Sequence, residues 1–260
     1  MQNLIKKLKN LKKLGAVGIK QSLEDEGASF QDIVLMRKIT SLVKLDLNVK
    51  IGGCEAKNDI FFCRKNNVNG IVAPMVESQY ALDKFIQTIS RNKKNSLFIN
   101  LESKTAFKNI NKIINSKNFR FLNGVVIGRS DLAGSFGMTK NQVDSRKIYN
   151  QVEKVLKKIK KNKIIVKMGG SITPKSKNFI DLLYKKRLLD RIETRNVEIL
   201  LNNKTIKNLK NIIELIFSFE LDWIKYKFKN SKLKKSRLKV AEYTNRIKEL
   251  EKRIKRINLN

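Results

Sequence analysis

Short apolar runs alternate with amphipathic stretches along most of the chain. Ala16–Leu23, Asn48–Ile51, Gly70–Val76, Ser96–Leu101, Gly124–Ile127 and Lys163–Met168 read as strands, apolar enough to be buried on both faces. Between them lie segments with helical spacing: Ser29–Leu45, a stretch through Ile60 to Arg64, Ser78–Ser90, Lys104–Asn115, Asp144–Lys161 and Lys177–Lys185. Ser29 is placed to cap the first of these, with Gln31 and Asp32 in its first turn. Arg191–Ile192 and Val197–Leu201 supply a seventh strand region and room for an eighth. A helix from about Thr205 is apolar through Leu209, Ile212, Ile213, Ile216 and Phe217. Ahead of the first strand, Leu4, Ile5, Leu8 and Leu11 predict a short amphipathic helix, placed to close one end of a barrel.

Alternation of this kind implies a parallel sheet. Six to eight units in roughly 200 residues suit a (β/α)8 TIM barrel better than an open sheet. The turn after the first strand, LEDEGAS, also lacks the G-x-G-x-x-G of a dinucleotide fold. The reading is an α/β barrel over residues 1–230, N-terminal helix included, with a long C-terminal helical extension at 231–260. In that basic tail Tyr243, Ile247, Leu250, Ile254 and Ile257 recur at spacings of four, three, four and three. Such a seam fits a parallel coiled-coil dimer, a helix laid across a partner barrel, or a helix packed on its own barrel. A homo-oligomer is the expectation.

The chain has 260 residues, 57 Lys+Arg against 23 Asp+Glu, a formal net charge of +34, and no histidine. The missing histidine excludes Ser-His-Asp and Cys-His catalysis and histidine-bound zinc. Cys54 and Cys63 are too few for a disulfide framework, which favours a reducing, cytoplasmic setting. No run is long and apolar enough for a membrane span. The lysines are spread over the whole chain, without interleaved aromatics or a nucleic-acid-binding motif. The charge therefore reads as solvated surface that steers anions, and a nucleic-acid partner is not expected.

In a barrel, chemistry sits where strands end. The polar residues there are Lys20, Gln21, Glu24 and Asp25, then Lys50, Glu77 and Glu102. Arg129, Ser130 and Asp131 follow, then Lys167, Glu193 and Arg195. Glu102 and Asp131 each follow an apolar run on neighbouring strands, which lie about 4.8 Å apart. Two carboxylates so close repel unless a cation bridges them or one takes a proton. The fitting cation is hard, Mg2+ or Mn2+, able to chelate a 2-oxo acid and stabilise its enolate. The alternative is that each acid pairs with a neighbouring Lys or Arg. The loop from Gly128 to Gly137 could cradle a carboxylate with its backbone N–H groups, or be a tight turn.

The stretches GIVAPMVES (Gly70–Ser78), FINLESKTAFKNI (Phe98–Ile110) and GVVIGRSDLAGSFG (Gly124–Gly137), with KIGGCEA (Lys50–Ala56) and LEDEG (Leu23–Gly27), resemble the HpcH/HpaI aldolase and citrate lyase β-subunit family. The resemblance spans about residues 15–225. It implies that Glu102 and Asp131 bind Mg2+ or Mn2+, and that backbone around Arg129, Ser130 and Asp131 meets the substrate carboxylate. Lys50 stands where the family usually has a pyruvate-holding arginine, and lacks the bidentate fork. The Thr205–Phe228 helix corresponds to one that often swaps onto a neighbouring subunit. Aldolases of the family commonly have a histidine near strand one. Here a metal-bound hydroxide, Glu24 or Lys20 would contribute instead. Citrate-lyase-like members also lack that histidine and carry a LED-type stretch.

These readings converge on a metal-dependent carbon–carbon lyase or aldolase. It would act on a 2-oxo acid of pyruvate or oxaloacetate type with an aldehyde or acyl-thioester partner. Lys50 and the loop after strand five would anchor the carboxylate, and Lys20 or Arg195 would contact the distal part. A competing mechanism is a Schiff base at Lys167. A third reading is a basic binding or assembly module without chemistry.

Overall fold

In a computed structural model, described for residues 1–24, 27–89, 94–230 and 237–258, the elements follow the alternating order. They are α1 (Gln2–Lys13), β1 (Ala16–Ser22), α2 (Phe30–Val43), β2 (Asp46–Lys50), α3 (Lys57–Lys65), β3 (Gly70–Ala73) and α4 (Gln79–Ile89). Next come β4 (Ser96–Leu101), α5 (Lys104–Lys108), α6 (Ile110–Ile114), β5 (Gly124–Gly128), α7 (Arg129–Ser135) and α8 (Arg146–Ile159). The chain continues with β6 (Ile165–Gly169), α9 (Lys177–Lys185), β7 (Arg191–Glu193), β8 (Val197–Leu200), α10 (Asn203–Lys207), α11 (Leu209–Asn230) and α12 (Arg237–Asn258). Ser29 caps α2 as expected, in a reciprocal box with Asp32.

The eight strands close a barrel in chain order. β1 to β7 run parallel, but β8 is antiparallel to both β7 and β1. The cause is the connection. Only Thr194, Arg195 and Asn196 separate β7 from β8, enough for a hairpin and far too few for the crossover a parallel neighbour needs.

Inside and outside of the barrel differ in polarity. Ile19, Leu47, Val49, Ile71, Ile99, Val125, Ile127, Val166, Met168 and Ile192 belong to the large core between strands and helices. A separate apolar cluster inside is small: Val72, Phe98 and Val126, with Ile165 against it. The rest of the interior is polar. The Lys167 Nζ sits 2.8 Å from the Glu198 carboxylate and 3.6 Å from the Phe98 ring centroid, and Asn48 Nδ2 donates to Glu198 Oε1 at 2.6 Å.

The N-terminal helix packs differently from expectation, and the tail takes one of the three arrangements its seam allowed. α1 buries Leu4, Leu8 and Leu11, and packs against α2 and α11 in the outer layer instead of closing an end of the barrel. The helix expected from Thr205 is two helices, α10 and α11, and the Lys104–Asn115 helix is likewise divided at Asn109. The tail seam faces its own chain. Leu250 and Ile257 are buried, the Phe228 and Tyr243 rings lie 5.8 Å apart, and Lys225 meets Glu251 at 2.8 Å across α11 and α12. Of the three partners the seam allowed, the structure has the barrel's own helix. No helix among the described residues is long and apolar enough to cross a membrane.

Glu220 of α11 pins the β7–β8 turn from behind. It is fully buried and accepts hydrogen bonds from Thr194 Oγ1 at 2.7 Å and the Asn196 N–H at 2.9 Å. Burial raises its pKa above the ordinary carboxylate range, against the opposing pull of those bonds and of Arg195 and Arg253. A raised native pKa means the folded state holds its proton longer, so stability falls as pH rises from the unfolded value through the folded one. Glu220→Gln keeps the acceptor and removes the ionisation. Its melting temperature should match the wild type in acid and exceed it increasingly as pH rises. Thermal melts across pH check this, and a constant difference would contradict it.

Candidate active site at the barrel mouth

Gly128 at the end of β5 and Gly169 at the end of β6 are register partners. A neighbouring glutamate lies across each. A Cβ on Gly128 would fall 2.4 Å from Glu102 Oε2, and one on Gly169 would fall 3.0 Å from Glu193 Cγ. Glu102, just past β4, and Glu193, ending β7, thus turn towards the same pair of glycines. Any side chain there would displace them.

Glu102 is buried and held at both oxygens. Oε1 accepts from the Met75 N–H at 3.1 Å, and Oε2 accepts from Asn100 Nδ2 at 2.9 Å. Met75 adopts φ 49°, a left-handed conformation rare for a non-glycine residue, while its side chain stands exposed. Burial pushes the Glu102 carboxyl above its ordinary range, nearby Lys50 pulls it back, and Asp131 pushes it up again. Lys50 and Asp131 are therefore both within electrostatic reach of Glu102. Among the described residues neither Glu102 nor Asp131 forms a salt bridge.

Asp131 is exposed in the first turn of α7, and Ser130 Oγ shares a hydrogen bond of 2.9 Å with Ser171 Oγ. The Arg129 side chain does not face a ligand. It is completely buried and ion-paired with Asp144, donates to the Gly170 carbonyl at 3.0 Å and stacks over Phe179 at 4.9 Å. Only its backbone remains for the role the sequence assigned. Lys50 is buried on β2. Lys20 Nζ is held by Glu193 Oε1 at 2.8 Å, which makes it a donor, not a proton acceptor. Glu24 is exposed at the rim, over Gly52, where an added Cβ would lie 2.7 Å from its Oε1. Asp25 lies outside the described residues. Arg195 is exposed at the tip of the β7–β8 turn, at the same end of the barrel.

Lys167 sits one inward position below Gly169, with no exposed surface and with both Glu198 oxygens at 2.8 Å. A lysine so enclosed and paired does not present a free amine to a carbonyl substrate, which removes the structural support for a Schiff base there. Sequence reasoning passed over Asn100, Glu198 and Met75. The first two had a signal: a polar residue breaking an apolar strand at the same parity as Glu102 or Lys167. Met75 had none, because its part is played by its backbone.

Among the described residues no group of three or more His, Cys, Asp or Glu converges as a metal cage. Among the described residues Glu102 and Asp131 are two oxygen donors at the mouth, one buried and one exposed, with no salt bridge to either. That set suits a hard cation that takes its remaining ligands from water and substrate, and does not suit a closed structural site.

The HpcH/HpaI aldolase/citrate lyase family model matches residues 51–175, which bears out the resemblance over β3 to β6. The match includes Glu102 and Asp131, begins just after Lys50 and ends before Glu193 and Arg195. No curated protein matches the sequence. Among solved structures, an HpcH/HpaI aldolase from Desulfitobacterium hafniense is similar at TM-score 0.61 and 12% identity, over 75% of this chain and 82% of that one. The citrate synthase SbnG is similar at TM-score 0.61 and 12% identity, over 83% and 89%. A Haloferax volcanii malate synthase, solved as a pyruvate/acetyl-CoA ternary complex, is similar at TM-score 0.56 and 10% identity, over 72% of this chain and 58% of that one. At such identities the solved structures establish the fold. The family match supports a lyase-type enzyme.

Proposed function

We propose that this barrel, carrying the HpcH/HpaI resemblance across its centre, is a divalent-cation-dependent carbon–carbon lyase or aldolase for a 2-oxo acid. One observation carries the reading: Glu102 is buried within electrostatic reach of Asp131, and neither acid is in a salt bridge among the described residues. Lys50 offsets part of the repulsion, and a hard cation held between the two carboxylates would offset the rest. Mg2+ or Mn2+ bound by Glu102 and Asp131 would supply the Lewis acid for the keto group.

The protein's own groups do the rest. Asn100 and the Met75 N–H fix the orientation of the Glu102 carboxylate. Lys50 offsets charge beside it, and meets the substrate carboxylate as a point charge. The backbone of Ser130 and Asp131 lies where that carboxylate docks, and Gly170, at φ 84°, lets the β6 turn pass close beside it. Arg195, exposed at the tip of the last turn, faces the distal half of the substrate.

The test is a screen with pyruvate or oxaloacetate as nucleophile and varied aldehydes or acyl thioesters, with metal and with chelator. Turnover that appears with Mg2+ or Mn2+ and vanishes in chelator is expected. Turnover that persists in chelator and is trapped by borohydride would refute the reading.

A further inference from the structure

The tail seam lies against its own α11. A different surface has the features of a contact with a second copy. Residues 24–89, from the rim after β1 to the end of α4, carry nine acidic and eight basic side chains. The other 194 residues carry fourteen acidic and 49 basic ones. Two copies of a chain with net charge +34 repel over most of their surface, and this flank is close to neutral. It is also where apolar side chains stand out. Of the eight large apolar residues exposed among the described residues, five are here: Phe30, Leu42, Phe61, Met75 and Tyr80. Phe61 and Tyr80 are each 69% exposed. Ile60 and Cys63 are the buried residues of α3, which puts Phe61 and Phe62 on its outer side. Phe62 stacks on Phe30 of α2 with ring centroids 4.1 Å apart, and α3 packs beside α4, where Tyr80 lies in the first turn. Apolar residues scattered singly need no explanation, but a group of them on adjacent elements marks a contact.

The charges on the flank are sorted by height. Each helix returns antiparallel to its strand, so helix N-termini lie at the mouth and C-termini at the opposite end. Glu24 and Glu55 precede α2 and α3, and Asp32 and Asp59 lie in their first turns. Lys38, Lys44 and Lys65, all exposed, lie in the C-terminal halves or at the C-terminal ends of the same two helices. Lys57 and Asp46 run against this order. We propose that the α2–α4 flank is the interface of a homodimer, in which two copies of this chain meet patch to patch with their barrels antiparallel. A two-fold axis in the contact plane, perpendicular to the barrels, sets each helix against the same helix of the partner, inverted end for end. The acidic end of one copy then faces the lysine end of the other, and Phe61, midway along α3, meets its own counterpart. Phe30 and Leu42, at opposite ends of α2, come together across the axis. A polyanion or a basic protein would find no net charge here to bind, whereas a second copy finds both signs in complementary order. The proposal stands apart from the lyase reading.

The experiment is sedimentation of the full chain over a range of concentrations, with circular dichroism to show that each variant is folded. Wild type is expected at twice 30.1 kDa in the micromolar range. Phe61→Asp should raise the dissociation constant at least ~100-fold, as expected for a central aromatic anchor. Tyr80→Ser should raise it by a smaller factor. Phe121→Asp, which changes an exposed apolar residue outside the flank, should leave it unchanged. Lys38→Glu/Lys65→Glu should weaken the dimer at least ~10-fold. Adding Glu24→Lys/Glu55→Lys should recover most of that loss, because the two ends have then exchanged sign. A wild type that stays monomeric overturns the proposal. So does a dimer indifferent to both Phe61→Asp and Tyr80→Ser. A dimer lost on removal of the residues after Asn230 but not in Phe61→Asp assigns the contact to the tail and also overturns it. Failure of the charge exchange to restore association overturns the antiparallel arrangement, and the proposal with it.

Discussion

Glu102→Gln is expected to abolish divalent-cation binding while the barrel stays folded. Glutamine has nearly the same shape and occupies the space over Gly128 without a new clash. It removes one of two anionic donors and leaves Asp131 alone on α7. One amide contact is lost as well. Glutamine can accept from Met75 N–H or from Asn100 Nδ2, but its own NH2 then faces the other donor. That mismatch costs about 1–3 kcal/mol, and is offset in part because a buried charge disappears with it. Mn2+ affinity by calorimetry should fall at least ~100-fold, more than the loss typical of a residue that only supports a ligand. An unchanged affinity would refute the site. The sign of the pH dependence follows from the direction of the shift. Glu102 is held above the usual carboxylate range, so a cation must displace its proton as pH falls. Wild-type affinity should start to weaken at higher pH than an ordinary glutamate would give.

The strands were legible because their outward faces are apolar. Ile71, Ile99, Ile127 and Met168 belong to the core under the helices, and runs containing them could only be strands or buried helix. Their inward faces were misjudged. Reading the runs as apolar on both sides hid the polar interior, where Asn48, Asn100, Lys167 and Glu198 alternate with the outward set. The direction of β8 was not written in its own residues. VEIL suits either orientation, and three connecting residues decided it. The tail seam was ambiguous for a similar reason. Tyr243 to Ile257 has the same period whether its groove is another chain or α11, and α11 supplies one through Phe228 and its neighbours. Glu102 and Asp131 were legible as candidates because each follows an apolar run. The fate of Arg129 was not, since its partner Asp144 lies beyond the loop, where no local pattern connects them. Glu193 was visible as a polar strand end, but its unbonded oxygen is a property of packing alone.

Lys167→Met should be the most destabilising substitution inside the barrel, and its cost should be structural. The lysine and Glu198 have no exposed surface, and the ammonium also lies 3.6 Å from the Phe98 ring centroid. Removing it leaves Glu198 facing Asn48, with Arg191 at 3.6 Å as the remaining cation. Breaking a buried pair by deleting one partner costs about 3–5 kcal/mol, and Arg191 places this case near the lower end. A loss of ~3 kcal/mol lowers the melting temperature of a chain this size by roughly 6–12 °C. Lys167→Met/Glu198→Gln should recover much of that, because the stranded charge is gone while Asn48 keeps an acceptor. A Schiff-base enzyme would behave differently: the single variant would lose its chemistry, the double variant would not regain it, and wild type would form a borohydride-stable adduct with pyruvate at Lys167. Melting curves of the two variants, read beside activity and mass spectrometry of the borohydride-treated protein, separate a lysine that holds the barrel together from one that forms bonds to substrate.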